Sequence, residues 1–163
     1  MTSRTSTRQQ EQRQSSSMAQ GRLARGFGWG VVATLAMSVL MIVATATGLS
    51  PMPMPVPAAI VGQVLGGNLP QPLIVLVAAL SHLAFGGVAG AVLAALTRPI
   101  TLLKGLGWGI LLWVLMGVVF LPFVGWGLFG TSIAPQIAVA TLVLHLVYGT
   151  TLGLLLDRGK SGE

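Results

Sequence analysis

The chain holds two histidines, His82 and His145, and each lies deep inside a long apolar segment. Their surroundings match. Ser81-His82-Leu83-Ala84-Phe85-Gly86 is answered by Leu144-His145-Leu146-Val147-Tyr148-Gly149, and each is followed four residues later by a second glycine, Gly90 or Gly153. An ionisable side chain within a membrane span is costly and marks a functional site by default. Such an imidazole can do several things. It can bond across a helix contact, to a carbonyl or to Thr34, Ser38 or Thr141, an interaction worth about 0.6 kcal/mol. It can act as neutral ligand or shuttle on a cation or proton path. Two at one depth can also ligate a b-type haem, with the glycines leaving room for the porphyrin. Against haem, that depth offers the propionates no basic partner.

Other chemistries are excluded by what is missing. There is no cysteine, so disulfides, thiolate metal sites and cysteine nucleophiles are ruled out. The only acids, Glu11, Asp157 and Glu163, stand outside the apolar segments, so no carboxylate relay or paired-carboxylate catalysis operates within the membrane. The expectation is therefore a protein that is not an enzyme. Met37 and Met41, one turn apart, and Met52 and Met54 supply thioethers, which suit Cu(I). Methionine is also a common apolar filler, and packing is the preferred reading of these four. The Gly-x-Gly pairs do not follow strands, so no nucleotide-binding fingerprint is present.

Each histidine must be placed by a helix. His82, Gly86 and Gly90 fall at i, i+4 and i+8 on one stripe, as do His145, Gly149 and Gly153 on another. Small residues at this spacing let helix backbones approach closely, so both stripes should serve helix packing and face protein. Of the 163 residues, 53% are hydrophobic and 7% charged, with a mean hydropathy of +0.84. That composition belongs to a polytopic membrane protein. Four spans are predicted, over about 27–49, 73–96, 106–129 and 133–156, within a transmembrane domain of residues 23–158.

The formal net charge is +6, but its placement says more. Arg4, Arg8, Arg13, Arg22 and Arg25 precede the first span, Arg98 and Lys104 lie between the second and third, and Arg158 and Lys160 follow the fourth. The outer loop 50–72 and the turn around 130–135 carry no charge. By the positive-inside rule both termini are cytoplasmic, N-in and C-in. Topology and anionic headgroups account for the basic excess, with no nucleic acid as partner. Residues 1–22, rich in Ser, Thr, Gln and Arg, read as a disordered cytoplasmic tail, and residues 159–163 as a second tail. Ala44-Thr45-Ala46 resembles a cleavage site, but the basic region and apolar run are too long for a signal peptide.

The halves also repeat. Gly26-Phe27-Gly28-Trp29-Gly30 matches Gly105-Leu106-Gly107-Trp108-Gly109 at an offset of 79, which also joins Met37 to Met116 and Gly48 to Gly127. In the second helix of each half the offset is 63, joining His82 to His145 and Phe85 to Tyr148. The fold class is thus an all-α membrane protein of four transmembrane helices, built as two parallel helical-hairpin repeats. Parallel follows because a two-span repeat inserts both copies the same way. The outer loop opens with alternating prolines and continues as a short apolar stretch from Ala58, expected to form an interfacial or re-entrant helix that ends at Gly66-Gly67 and caps the bundle. Trp29, Trp108 and Trp126 read as interfacial anchors, Trp113 as a deeper residue, and Pro122 as a kink in the third span.

The His-x-x-aromatic-Gly motifs and the proline-rich loop ending in Leu-Gly-Gly together resemble small four-helix bacterial and archaeal membrane proteins grouped in families of unknown function. The resemblance covers about Arg25 to Arg158 and implies the four-helix fold without an activity. The expected role is a non-enzymatic packing or interaction subunit in a prokaryotic cytoplasmic membrane. Its partners are the lipid bilayer and a homo-oligomer or larger complex joined through the glycine stripes. The alternative is a small transport or haem b redox protein that uses His82 and His145.

Overall fold

A computed structural model describes residues 3–66 and 69–158 of the chain. Among the described residues six α-helices follow one another: α1 (Ser3–Ala46), α2 (Val56–Leu65), α3 (Gln71–Leu96), α4 (Leu102–Leu115), α5 (Leu121–Phe123) and α6 (Gln136–Arg158). A π turn (Met116–Phe120) fuses α4 to α5, and a 3₁₀ turn (Leu128–Gly130) precedes α6. Among the described residues there is no β-strand. Four helical stretches are long and apolar enough to cross a membrane: Arg8–Ala46, Gln71–Leu96, Leu102–Phe123 and Gln136–Asp157.

The helix ends follow local chemistry. After α1, Gly48 takes a φ of 73°, and the Leu49 N–H reaches back to the Ala44 carbonyl at 2.9 Å. A left-handed residue after the last turn closes a helix in this way, and glycine adopts it without a Cβ penalty. Pro55 and Pro70 stand immediately before α2 and α3, which also carry a proline in their first turns, where no N–H is missed. Thr101 caps α4 by accepting a hydrogen bond from the Lys104 N–H at 3.4 Å.

Two antiparallel helix pairs make the bundle. α1 packs on α3, α4 packs on α6, and α1 also lies against α6. α6 is the most enclosed, with 44% of its apolar stretch buried against 22% for α1, so it forms the centre. Large apolar side chains such as Leu35, Val39, Leu76, Val88, Val118 and Val143 are exposed around the outside. A water-soluble chain would bury such a girdle, whereas hydrocarbon solvates it.

Within each pair the contact is backbone against backbone. Gly26 and Gly30 lie against Gly90 and Gly86, and Gly105 and Gly109 lie against Gly153 and Gly149. A Cβ on Gly26 would stand 2.7 Å from the Gly90 carbonyl oxygen and 2.7 Å from the Ala94 Cβ. The middle glycine of each Gly-x-Gly-Trp-Gly run, Gly28 or Gly107, meets nothing within 4 Å. The glycine stripes are therefore occupied inside one chain. An oligomer would have to use another surface.

Three expectations change. The stretch read as a disordered tail over 1–22 continues α1 back to Ser3. It contains no proline, and its first glycine is Gly21, so nothing halts a helix that the span has already nucleated. Met1, Thr2 and the tail 159–163 lie outside the described residues, as does Gly67 at the expected end of α2. The third span stops at Phe123 rather than 129, because Gly125, Gly127, Phe129 and Gly130 all adopt positive φ. Trp126 is no interfacial anchor: it is 7% exposed and belongs to the core. The turn folds back on itself, with the Trp126 N–H on the Leu121 carbonyl and the Ser132 N–H on the Trp126 carbonyl.

Ahead of Pro122 the regular helix gives way to a π turn. The proline has no N–H to give to Val118, and its ring would strike that carbonyl in a regular helix. The backbone widens into the π turn just before it, and the Leu121 N–H bonds to the Met116 carbonyl five residues back.

Candidate functional site

His82 sits about 16 Å along α3 from its first residue and His145 about 14 Å along α6, at about 1.5 Å per residue. In a hydrocarbon core of about 30 Å both are near the middle. The two come from different helix pairs, yet they line one cavity of about 220 Å³. Met37 of α1 and Met116 and Phe120 of the π turn complete its wall, with Ser81 and Phe85 of α3. From α2, Val56, Pro57 and Ile60 border the cavity at the end away from the basic residues. Val56, Ala58 and Val61 are buried, and α2 packs along α3.

The hydrogen bonds show how each ring is held. His82 Nδ1 lies 3.3 Å from the Ser38 hydroxyl oxygen, a link between α3 and α1. His145 Nδ1 lies 2.8 Å from the Thr141 carbonyl of its own helix. A carbonyl only accepts, so His145 carries its proton on Nδ1 and keeps a lone pair on Nε2. Neither Nε2 is a buried atom lacking a partner, and both rings border the cavity. The predicted cross-helix bond thus exists for His82, whereas His145 bonds within α6. Thr34 and Thr141 do not serve the histidines with their hydroxyls, which donate to the Gly30 and Ile137 carbonyls at 2.8 and 2.6 Å.

The surroundings are mostly apolar. Phe85 and Phe120 meet edge to face at 5.9 Å across the cavity wall. One turn beyond His145, the Tyr148 hydroxyl donates to the Gly86 carbonyl at 2.6 Å, tying α6 to α3. Trp113, expected to be deep, donates from Nε1 to the Ala138 carbonyl at 3.1 Å and lies against Phe129 at 4.6 Å. Gly86 is fixed in type as well as place, since a Cβ there would fall on the Thr34 hydroxyl oxygen.

Met37 and Met116 as cavity-lining partners of the histidines were missed by sequence reasoning. The signal was present, because the offset that aligns the glycines also aligns these two methionines. The haem alternative does not fit. Pockets for ligands of drug size run from about 300 to 1,000 Å³, and about 220 Å³ leaves no place for a porphyrin between the rings.

A second, larger crevice of about 800 Å³ lies at the opposite end, bordered by Arg22, Arg25 and Arg98 with Ala94, Ile100 and Leu156. It gathers basic residues from α1 and from the connection between α3 and α4. No curated protein and no solved structure matches the chain. A family model matches residues 21–162, which takes in the last three spans and the first from Gly21 onward, both histidines, the two methionines of the cavity and every glycine of the helix contacts. The chain belongs to this family, DUF6789, a family of unknown function.

Proposed function

We propose that this chain is a non-catalytic, cation-binding protein of a prokaryotic cytoplasmic membrane, with His82 and His145 as neutral ligands in the cavity between two hairpins. One observation carries the reading: histidines from both helix pairs border the same mid-span cavity, and among the described residues only their Nδ1 atoms are hydrogen-bonded. A purely packing role accounts for the Ser38 contact, and the internal repeat accounts for the matched depth of the two imidazoles, but ligation alone uses both ring edges at one cavity. Catalysis is disfavoured on chemical grounds. The only acids in the four stretches, Glu11 and Asp157, lie at least eleven residues from either histidine in sequence, there is no cysteine, and the backbone N–H groups inside the helices are already bonded and offer no oxyanion hole.

Two parallel hairpin repeats with both termini cytoplasmic are part of this proposal. The corresponding glycine contacts in α1–α3 and α4–α6 support the repeat, and the gathering of Arg22, Arg25 and Arg98 at one end supports the orientation. The cysteine-free chain makes topology easy to test. With single cysteines, a membrane-impermeant maleimide should label Met54→Cys on intact spheroplasts and Ser17→Cys only after lysis. The reverse pattern would invert the topology.

The cation reading is tested on full-length protein purified in detergent and freed of metal. Addition of Cu(I), Zn²⁺, Ni²⁺ or Co²⁺ one at a time should raise the thermal unfolding midpoint for at least one ion, because binding the folded state alone stabilises it. The double variant His82→Gln/His145→Gln should lose that rise and keep the monodispersity of the parent. The reading fails if no ion moves the parent, or if the rise persists in the double variant.

A further inference from the structure

We infer that Met37 and Met116 join His82 and His145 as a two-sulfur, two-nitrogen site selective for Cu(I), an inference that rests on the cation-binding reading above. The four side chains come from four separate stretches, α1, α3, the π turn and α6, and all border the same cavity of about 220 Å³. Met37 and Met116 are 8% and 9% exposed, so their thioethers are held inside the bundle. Both pairs also follow the internal spacing of the chain: the methionines differ by 79 positions and the histidines by 63, as do the glycines of the first and second helices of each half. The cavity is thus bordered by two copies of one methionine–histidine pair.

The donor set selects the ion. Thioether sulfur and neutral imidazole suit soft Cu(I), whereas Mg²⁺, Ca²⁺ and Mn²⁺ want carboxylate and water oxygens. No carboxylate lines the cavity. A divalent ion at this depth would bring two uncompensated charges into the hydrocarbon region, and a monovalent ion brings one. The outer contacts are also those of a metal site. A ligating histidine commonly gives its other ring N–H to a carbonyl, which fixes tautomer and orientation. His145 does this with the Thr141 carbonyl at 2.8 Å, and Ser38 holds His82 at 3.3 Å. The π turn begins at Met116 itself. Such turns alter the direction of the side chains they carry and recur at functional sites. Phe85 and Phe120 add an apolar wall.

The test uses the full-length protein in detergent under anaerobic, reducing conditions, with bicinchoninate competing for Cu(I). One Cu(I) should bind per chain. Met37→Leu/Met116→Leu, which keeps side-chain size, should weaken binding by about tenfold or more, the scale of losing contacts around a metal. His82→Gln/His145→Gln should abolish it. X-ray absorption at the copper edge should show mixed sulfur and nitrogen scattering. If the methionine variant holds Cu(I) as tightly as the parent, the thioether assignment is overturned while the histidine reading stands. If the parent binds Zn²⁺ or Ni²⁺ but no Cu(I), the soft selectivity is overturned in the same way. If the parent binds none of these ions, both readings fall together.

Discussion

Leucine in place of Gly149 or Gly30 will break open the hairpin that contains it, while leucine at Gly28 or Gly107 will change little. At Gly149 the first atom of any side chain would fall on the Gly105 carbonyl oxygen, with the Gly105 carbonyl carbon and Gly109 Cα at 3.1 and 3.2 Å. At Gly30 it would fall on the Gly86 carbonyl oxygen. These obstacles are backbone, so no rotamer change makes room, and the helices must separate along their length. Overpacking a core costs about 1–3 kcal/mol when side chains can yield, and here the cost should reach or exceed the top of that range. Separation would also pull His82 and His145 out of register. Gly28 and Gly107 belong to the same glycine-rich runs but meet no atom within 4 Å, so a change within about 0.5 kcal/mol is expected. Thermal unfolding and size-exclusion profiles in one detergent will decide. Similar behaviour of the inner and outer glycines would show that the close contact does not hold the hairpins.

Gly127→Ala should be strongly damaging in the turn between α5 and α6. Gly127 has φ 74° and ψ −179°, a combination open essentially to glycine alone. Forcing another residue into it costs about 1–3 kcal/mol, and a Cβ would in addition fall on the Ser132 hydroxyl oxygen. Both effects act on the residue that follows buried Trp126, whose N–H and carbonyl anchor the turn. Gly125→Ala is the paired comparison. It also has positive φ, at 80°, but a Cβ there meets nothing within 4 Å. The unfolding midpoint should fall further for Gly127→Ala than for Gly125→Ala. Equal losses would mean that the collision with Ser132 is relieved at no cost.

Much of this arrangement was legible because membrane helices impose simple rules. Apolar length located the four spans, and small-residue spacing marked Gly86, Gly90, Gly149 and Gly153 as contact residues before any partner was known. Matched motifs marked His82 and His145 as a pair. What escaped was set by contacts between distant segments. Trp126 looks like an interfacial anchor by position, and only the fold of the glycine-rich turn buries it. Met37 resembles packing material when compared with its neighbour Met41 on the same helix. Its relevant neighbours are Met116 and the two histidines, on three other stretches. The helical arm before Arg25 escaped for a different reason: its composition is that of a disordered segment, but it grows directly from a span that supplies the nucleus.

That arm gives the bundle a lever. From Ser3 to Arg25, α1 runs on beyond the apolar part of the span for about 35 Å at 1.5 Å per residue. Met37, on the same helix, borders the histidine cavity. A tilt of α1 by about ten degrees about the bilayer surface would sweep the tip of the arm through about 6 Å, by the geometry of a rigid rod of that length. Any tilt of α1 would thus be magnified at the far end of this arm.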